Sequence, residues 1–288
     1  ALCGPKWSRT TKGAAERAGT TRSEVTLGGR RITITRPRAR QRGGAEVELP
    51  TFTWASGRDP LDRATLGAIS AGVSTRNYAA TLDALPADIE SRATARSSVS
   101  RRFVAMSSAK LAEWLNAPLD GEQFEAIVVD AIHFRKHCVV IALGIAAQGK
   151  KRILGLHEGS TENAAVARAL LSNLVDRGLD ASRPMLFAID GSKALRKAIR
   201  DVWGTGGVVQ RCQIHKIRNV MEHLPEAARP RVRAEMRKAY EEPDWKKAQA
   251  CLQRLARSLE DKHPGAAASL QEGLAETLTL QRLGVRGA

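Results

Sequence analysis

Two aspartates suggest chemistry before anything else in this sequence. Phe124-Glu-Ala-Ile-Val-Val-Asp130 and Pro184-Met-Leu-Phe-Ala-Ile-Asp190 are short apolar runs, and each ends in an acid. Read as strands, they place a carboxylate at each carboxyl end, where it is costly unless it meets solvent or a cation. Side by side in one sheet, the two strands would bring both carboxylates to one edge. Mg²⁺ suits such a pair, because it takes oxygen ligands and keeps several waters. Two metals about 3.5–4 Å apart can activate a water or hydroxyl and stabilise a leaving oxygen. The plainer reading of each Asp is a cap on the turn or helix that follows it.

Cys212-x-x-His215 begins at the end of a further expected strand, Val208-Val-Gln-Arg-Cys212. Zinc wants four ligands in a tetrahedron, and the sequence has no second Cys/His pair nearby. His215 is left to support the acid site, contact a polyanion or hold a helix end. Lys193, Arg196, Arg211, Lys216 and Arg218 border the same edge, either within reach of phosphates or as solvated charges. His133 and His137 read as sheet-edge residues rather than metal ligands.

The elements that must position these groups can be read from the same chain. Strands are expected at 124–130, 137–147 and 152–156, joined by short links, which implies an antiparallel meander. A helix capped by Ser160 or Thr161 should run to about Arg177, followed by the strand 184–190, a helix over 192–203 and a strand over 208–212. The order β-β-β-α-β-α-β is that of ribonuclease H-like folds, an α/β layer arrangement of a mixed sheet with flanking helices. Beyond Ile214 the pattern is helical and polar-faced, punctuated by Pro225, Pro230, Pro243 and Pro264.

Upstream, residues 1–44 hold eleven Lys or Arg against two acids, Glu16 and Glu24. Alternation around Gly28-Gly29 predicts a short hairpin over 24–35. The stretch Arg36-Pro-Arg-Ala-Arg-Gln-Arg42 is too charged to pack and is expected to be a solvated arm, free or lying along phosphates. Three helices are expected over 61–71, 75–85 and 97–116, a helix-turn-helix-like pattern. Ser98, Ser100, Arg101 and Arg102 would then lie near the start of a groove-entering helix, with Val99 and Phe103 facing the core. The expected regions are a basic arm with hairpin (1–59), a helical DNA-binding region (60–120), a catalytic core (121–220) and a helical segment (221–288).

Composition narrows the partner. The 288 residues carry a formal net charge of +16, the surplus that displaces counterions from phosphates. An Arg- and Ala-rich genome would give some of that surplus without any such partner. Cys3, Cys138, Cys212 and Cys251 are scattered, pointing to a reducing, cytoplasmic compartment. The longest apolar run, 139–147, falls far short of the ~20 residues of a membrane helix.

Several motifs then make the reading specific. Ile127-Val-Val-Asp130-Ala-Ile-His-Phe134, Gly155-Leu-His-Glu-Gly-Ser-Thr-Glu-Asn163, Ile189-Asp190-Gly-Ser-Lys-Ala-Leu-Arg-Lys-Ala-Ile199 and Gln210-Arg-Cys212-Gln-Ile-His215-Lys-Ile-Arg-Asn219 occur in that order. Gly72-Val-Ser-Thr-Arg-Asn-Tyr78 and Ser97-Ser-Val-Ser-Arg-Arg-Phe103 precede them, and Leu274-Ala-Glu-Thr-Leu-Thr-Leu-Gln-Arg-Leu-Gly284 follows. Together they resemble the Mutator-type family of bacterial insertion-sequence transposases, over about residues 20–286. Ala131 and His157 stand where that family often has Gly and Trp.

The resemblance implies a ribonuclease H-like fold and a DDE mechanism with Mg²⁺ or Mn²⁺, in which Asp130 and Asp190 are the first and second acids. Cys212 and His215 match a family signature beside them. It further implies binding to double-stranded element ends and target DNA, generally as a homodimer on paired ends, with the protein associated with the nucleoid. The family's third acid, a Glu in a Thr-Asn-x-x-Glu type motif, is expected just past Ala288, so the metal site is expected to lack it. Glu272 and Glu276 belong to a different segment and are not promoted to that role. A catalytically inactive, truncated DNA-binding protein or inhibitor is the alternative function. A ribonuclease H-type nuclease is the third, disfavoured by the helix-turn-helix pattern and Cys-x-x-His.

Overall fold

The computed structural model describes residues 3, 15–41, 43–159 and 163–285. The chain divides after Ala112 into two compact units.

In the first unit, β1 (Glu16–Leu27) and β2 (Arg30–Arg40) form an antiparallel hairpin. Its tip is Gly28-Gly29, both at positive φ (54° and 77°), the conformation a two-residue hairpin turn demands. A side chain at Gly29 would also overlap the Tyr78 hydroxyl, which donates to the Gly29 carbonyl. The helices α1 (Pro50–Gly57) and α2 (Arg63–Ser70), the two-residue strand β3 (Ser91–Arg92) and the helix α3 (Arg96–Leu115) follow.

Two elements here differ from expectation. The hairpin is far longer than 24–35, because 36–40 is strand rather than a free arm. Ala39 is buried there, and Arg38 pairs with Glu46 at 2.8 Å, while the Arg36 guanidinium stacks 4.3 Å over Phe52. Backbone pairing and these partners absorb the charge that argued for solvation; Arg42 lies outside the described residues. The expected helix 75–85 is only a 3₁₀ turn, Tyr78–Thr81. Tyr78 is drawn into the small core with Leu61, Ile69 and Val99, and the residue before Pro86 is steered away from helix. A compact three-helix succession is therefore absent from 60–116 among the described residues. The last helix does form as expected, with Val99 buried and Phe103 packed against the same core.

The second unit follows its expected element order closely. Strands β4 (Ala126–Phe134), β5 (His137–Ile145) and β6 (Lys151–Gly159) make the antiparallel meander. After α4 (Ala164–Asp176), β7 (Met185–Ile189) returns parallel to β4. After α5 (Lys193–Trp203), β8 (Gly207–Arg211) pairs parallel with β7. The sheet order β6-β5-β4-β7-β8 is compatible with a ribonuclease H-like core. Asn163 caps α4, accepting from the Ala165 and Val166 amides at 3.0 Å each; the expected caps Ser160 and Thr161 lie outside the described residues.

Leu170, Leu171 and Leu174 of α4 and Leu195, Ala198 and Ile199 of α5 cover one face of this sheet, against Ile127, Val129, Val140, Phe187 and Ile189. Fully burying each such aliphatic or aromatic side chain stabilises the fold by about 1.5–3 kcal/mol. Phe187 and Trp203 meet edge to face, with ring centroids 4.9 Å apart.

Beyond the sheet come α6 (Gln213–Glu222), α7 (Arg229–Glu241), α8 (Trp245–Glu260), α9 (Pro264–Gln271), a 3₁₀ turn at Leu274–Leu278 and α10 (Thr279–Arg282). They share a separate core including Val220, Val232, Met236, Leu252, Leu255 and Leu270.

Candidate active site

Parallel pairing decides where the two aspartates go. β4 and β7 pair Ala126 with Leu186, Ile127 with Phe187 and Val128 with Ala188. Two residues beyond that last pair come Asp130, still on β4, and Asp190, directly after β7. Side chains alternate along a strand, so both aspartates share the face of Val128 and Ala188, opposite the face that α4 and α5 cover. Together they open onto one cavity of ≈ 290 Å³, also lined by Gln210, Cys212, His215 and Leu280.

Asp130 is exposed and Asp190 half-buried. The Asp130 Oδ1 accepts from the Ala131 amide at 2.9 Å. The Asp190 Oδ1 accepts from the Ser192 amide, also at 2.9 Å, and the Ser192 hydroxyl caps α5 at the Leu195 amide. The capping role expected as the plain reading is thus shared: Ser192 caps the helix, while Asp190 keeps lone pairs free. Among the described residues neither aspartate forms an ion pair with Lys or Arg. Two carboxylates facing a solvent-accessible cavity fit a hydrated divalent cation, which needs few protein ligands. Among the described residues no group of three or more His, Cys, Asp or Glu gathers as a metal cage.

The remaining predicted residues separate into two sets. Cys212 precedes α6, its amide donating to the Ile189 carbonyl at 2.7 Å, and His215 lies one turn on, with its Nδ1 buried and without a hydrogen-bond partner among the described residues. Lys193 and Arg218 are exposed. Arg196, by contrast, pairs with Glu276.

Arg211 and Lys216 correct the expectation that they border the edge as phosphate-reaching charges. Arg211 is 4% exposed and Lys216 0%. Arg211 donates to the Glu272 carbonyl at 2.9 Å and to its carboxylate at 3.2 Å. The Lys216 ammonium donates to the Ser269 and Glu272 carbonyls. Burial, aided by the nearby Arg211 charge, brings its pKa down to about 8. Burial alone would raise the Glu272 carboxyl, but Arg211 and Lys216 outweigh it and hold it below its usual value.

Gln210 has a role that its motif alone does not disclose. It is buried on β8, donates to the Thr277 carbonyl at 2.9 Å and accepts from the Leu280 amide at 2.9 Å. Those bonds set Leu280 as a wall of the acid cavity. In the first unit, Ser98 and Ser100 are half-buried in the opening turns of α3, Arg101 is exposed, and Arg102 faces Asp59 at 3.7 Å.

Comparison with known proteins gives the chain's family. The sequence model of the family described as "Transposase, Mutator family" matches residues 3–286. The chain is 31% identical over 162 residues to the transposase for insertion sequence element IS6120 of Mycolicibacterium smegmatis, covering 54% of this chain and 49% of that protein. It is 29% identical over 141 residues to the transposase for IST2 of Acidithiobacillus ferrooxidans, covering 49% and 47%. The transposase for IS256 in transposon Tn4001 of Staphylococcus aureus is 28% identical over 217 residues, covering 70% and 52%. The chain spans about half the length of the curated relatives it matches.

Proposed function

Because this chain belongs to the Mutator family of transposases, we propose that it supplies the first two acids of a metal-dependent DNA-cleaving and strand-transferring site. One observation carries the reading: Asp130 and Asp190, each two residues past the paired Val128 and Ala188 of the parallel strands, face one cavity, and among the described residues neither is paired with Lys or Arg. The bound ion would supply Lewis-acid activation and charge neutralisation on DNA phosphate. Asp130 and Asp190 would hold and orient it, and His215 with the exposed Lys193 and Arg218 would meet the DNA backbone. Ser98, Ser100, Arg101 and Arg102 of α3 are proposed contacts to the element's terminal repeats, Arg101 being the most accessible. A homodimer on paired ends and association with the nucleoid belong to the same proposal; among the described residues no helix is long and apolar enough to cross a membrane.

A second reading, DNA binding without cleavage, is favoured by one fact. No third carboxylate among the described residues joins the two aspartates, and Glu272 and Glu276 are engaged by cations. Strand cleavage of a labelled inverted-repeat end with Mg²⁺ decides between them. Cleavage that Asp190→Asn lowers by roughly 10³-fold supports the first reading; binding of that end without cleavage supports the second. Cleavage that survives Asp190→Asn contradicts the site.

A further inference from the structure

We propose that Arg211, clamped by Glu272, is a positioning residue for Asp190, holding the turn that presents this acid to its cavity. Gly191, directly after Asp190, sits at φ +108°, and a side chain there would overlap the Arg211 guanidinium. Gly273, directly after Glu272, sits at φ +63°, and a side chain there would meet the same guanidinium from the other partner segment. The planar group is therefore applied to two glycine backbones, one from the acid's own turn and one from the segment that follows α9.

Each end of this arrangement is fastened. On one side, Arg211 is a residue of β8 paired with Ile189, the last residue of β7, and the next amide, of Cys212, donates to the Ile189 carbonyl at 2.7 Å. On the other, its two bonds to Glu272 fix the rotamer, and Lys216 holds the Ser269 and Glu272 carbonyls in place. A buried, always-charged guanidinium needs such partners. A positioning role accounts for a 4%-exposed arginine against the glycine beside a cavity acid. Its Nε has no hydrogen-bond partner among the described residues, so the guanidinium is held by its other nitrogens.

The consequence is mechanical. The Asp190 carboxylate accepts a hydrogen bond from the Ser192 amide, and the turn between them has a glycine in a conformation open to wide motion. Arg211 removes that freedom. Loss of the clamp should loosen residues 189–193 while leaving α4 unaltered, and should weaken a cation held by Asp190, since partners behind a ligand change metal affinity about 10–100-fold.

The second effect rests on the metal reading; the first does not. Hydrogen–deuterium exchange on the whole chain, comparing native protein with Glu272→Gln, Arg211→Gln and the exposed control Arg218→Gln, reads the first. The expected result is about tenfold faster exchange of the 189–193 amides in Glu272→Gln and Arg211→Gln, with α4 unchanged and Arg218→Gln like the native protein. Should Arg211→Gln fail to fold, Glu272→Gln decides, because its carboxylate is 54% exposed and its loss leaves no deep cavity. Unchanged exchange at 189–193 in the clamp variants overturns the proposal.

Titration with Mn²⁺ alone, followed by electron paramagnetic resonance, separates the two ideas. Weakening about tenfold in Glu272→Gln, together with loss in Asp190→Asn, supports both. Loss in Asp190→Asn with native affinity in Glu272→Gln overturns the positioning role and keeps the metal reading. Native affinity in Asp190→Asn contradicts the metal reading, and exchange alone then judges the clamp.

Discussion

Two sets of carboxylates in the second unit have opposite fates. Asp130 and Asp190 accept from main-chain amides and, among the described residues, pair with no Lys or Arg; they face a cavity. Glu272 and Glu276 are taken up by Arg211, Lys216 and Arg196. The first pair is electrostatically unspent and open to an incoming ion. The second is already neutralised and joins the segment after α9 to β8, α5 and α6. The contrast shows that a carboxylate's availability depends on its partners more than on its exposure. Glu272 is 54% exposed at its side chain, yet it is committed.

The largest effect that would sharpen this contrast comes from the glycine between the two sets. Gly191→Ala forces a side chain into the left-handed region and against Arg211, and should destabilise the fold by about 2–4 kcal/mol, read from urea unfolding. A value below that of an exposed Gly149→Ala, where no neighbour lies within 4 Å, would break the account of Arg211.

Next in size is the pH dependence set by Lys216. Its ammonium is buried and its pKa falls from 10.5 to about 8, so between those values the unfolded chain binds more protons than the folded one. Stability should therefore rise with pH from about 8 towards 10, by about 1 kcal/mol per pH unit. Lys216→Met should remove that rise, relative to the native chain in matched urea titrations. Parallel curves for the two proteins would contradict the burial of that charge.

The smallest effect is expected in the first unit. Arg38 and Glu46 pair more closely than the carboxylate and guanidinium of the clamp, at 2.8 Å against 3.2 Å, but where solvent screens the pair. Arg38→Gln should leave the melting temperature within replicate scatter. A clear drop would show that short contact, not burial, separates the structural pairs.

Much of this arrangement was legible in one dimension. The strand-end aspartates stand out because apolar runs of strand length end abruptly in an acid, and the β-β-β-α-β-α-β order followed from short links and helix periodicity. The partners of the second set of acids were hidden, since Arg211 and Glu272 are 61 residues apart. A signal for Lys216 did exist. It lies four residues before Val220 on α6, on the same buried stripe, so its position on the helix argued for burial although its charge argued against it. Arg36 to Arg40 misled for the opposite reason: alternation of Pro37 and Ala39 with arginines is a strand pattern, masked by the charge. The 75–85 segment has a helical pattern, and burial of Tyr78 in the small core, its long-range hydrogen bond to Gly29 and Pro86 together account for its short 3₁₀ turn.

The most direct test of the central claim is anomalous diffraction from crystals of this chain soaked in Mn²⁺. A peak within coordination distance of carboxylate oxygens of both Asp130 and Asp190, absent in Asp190→Asn, is the predicted result. Ordered aspartates without a peak between them, or a peak unchanged in Asp190→Asn, would contradict it.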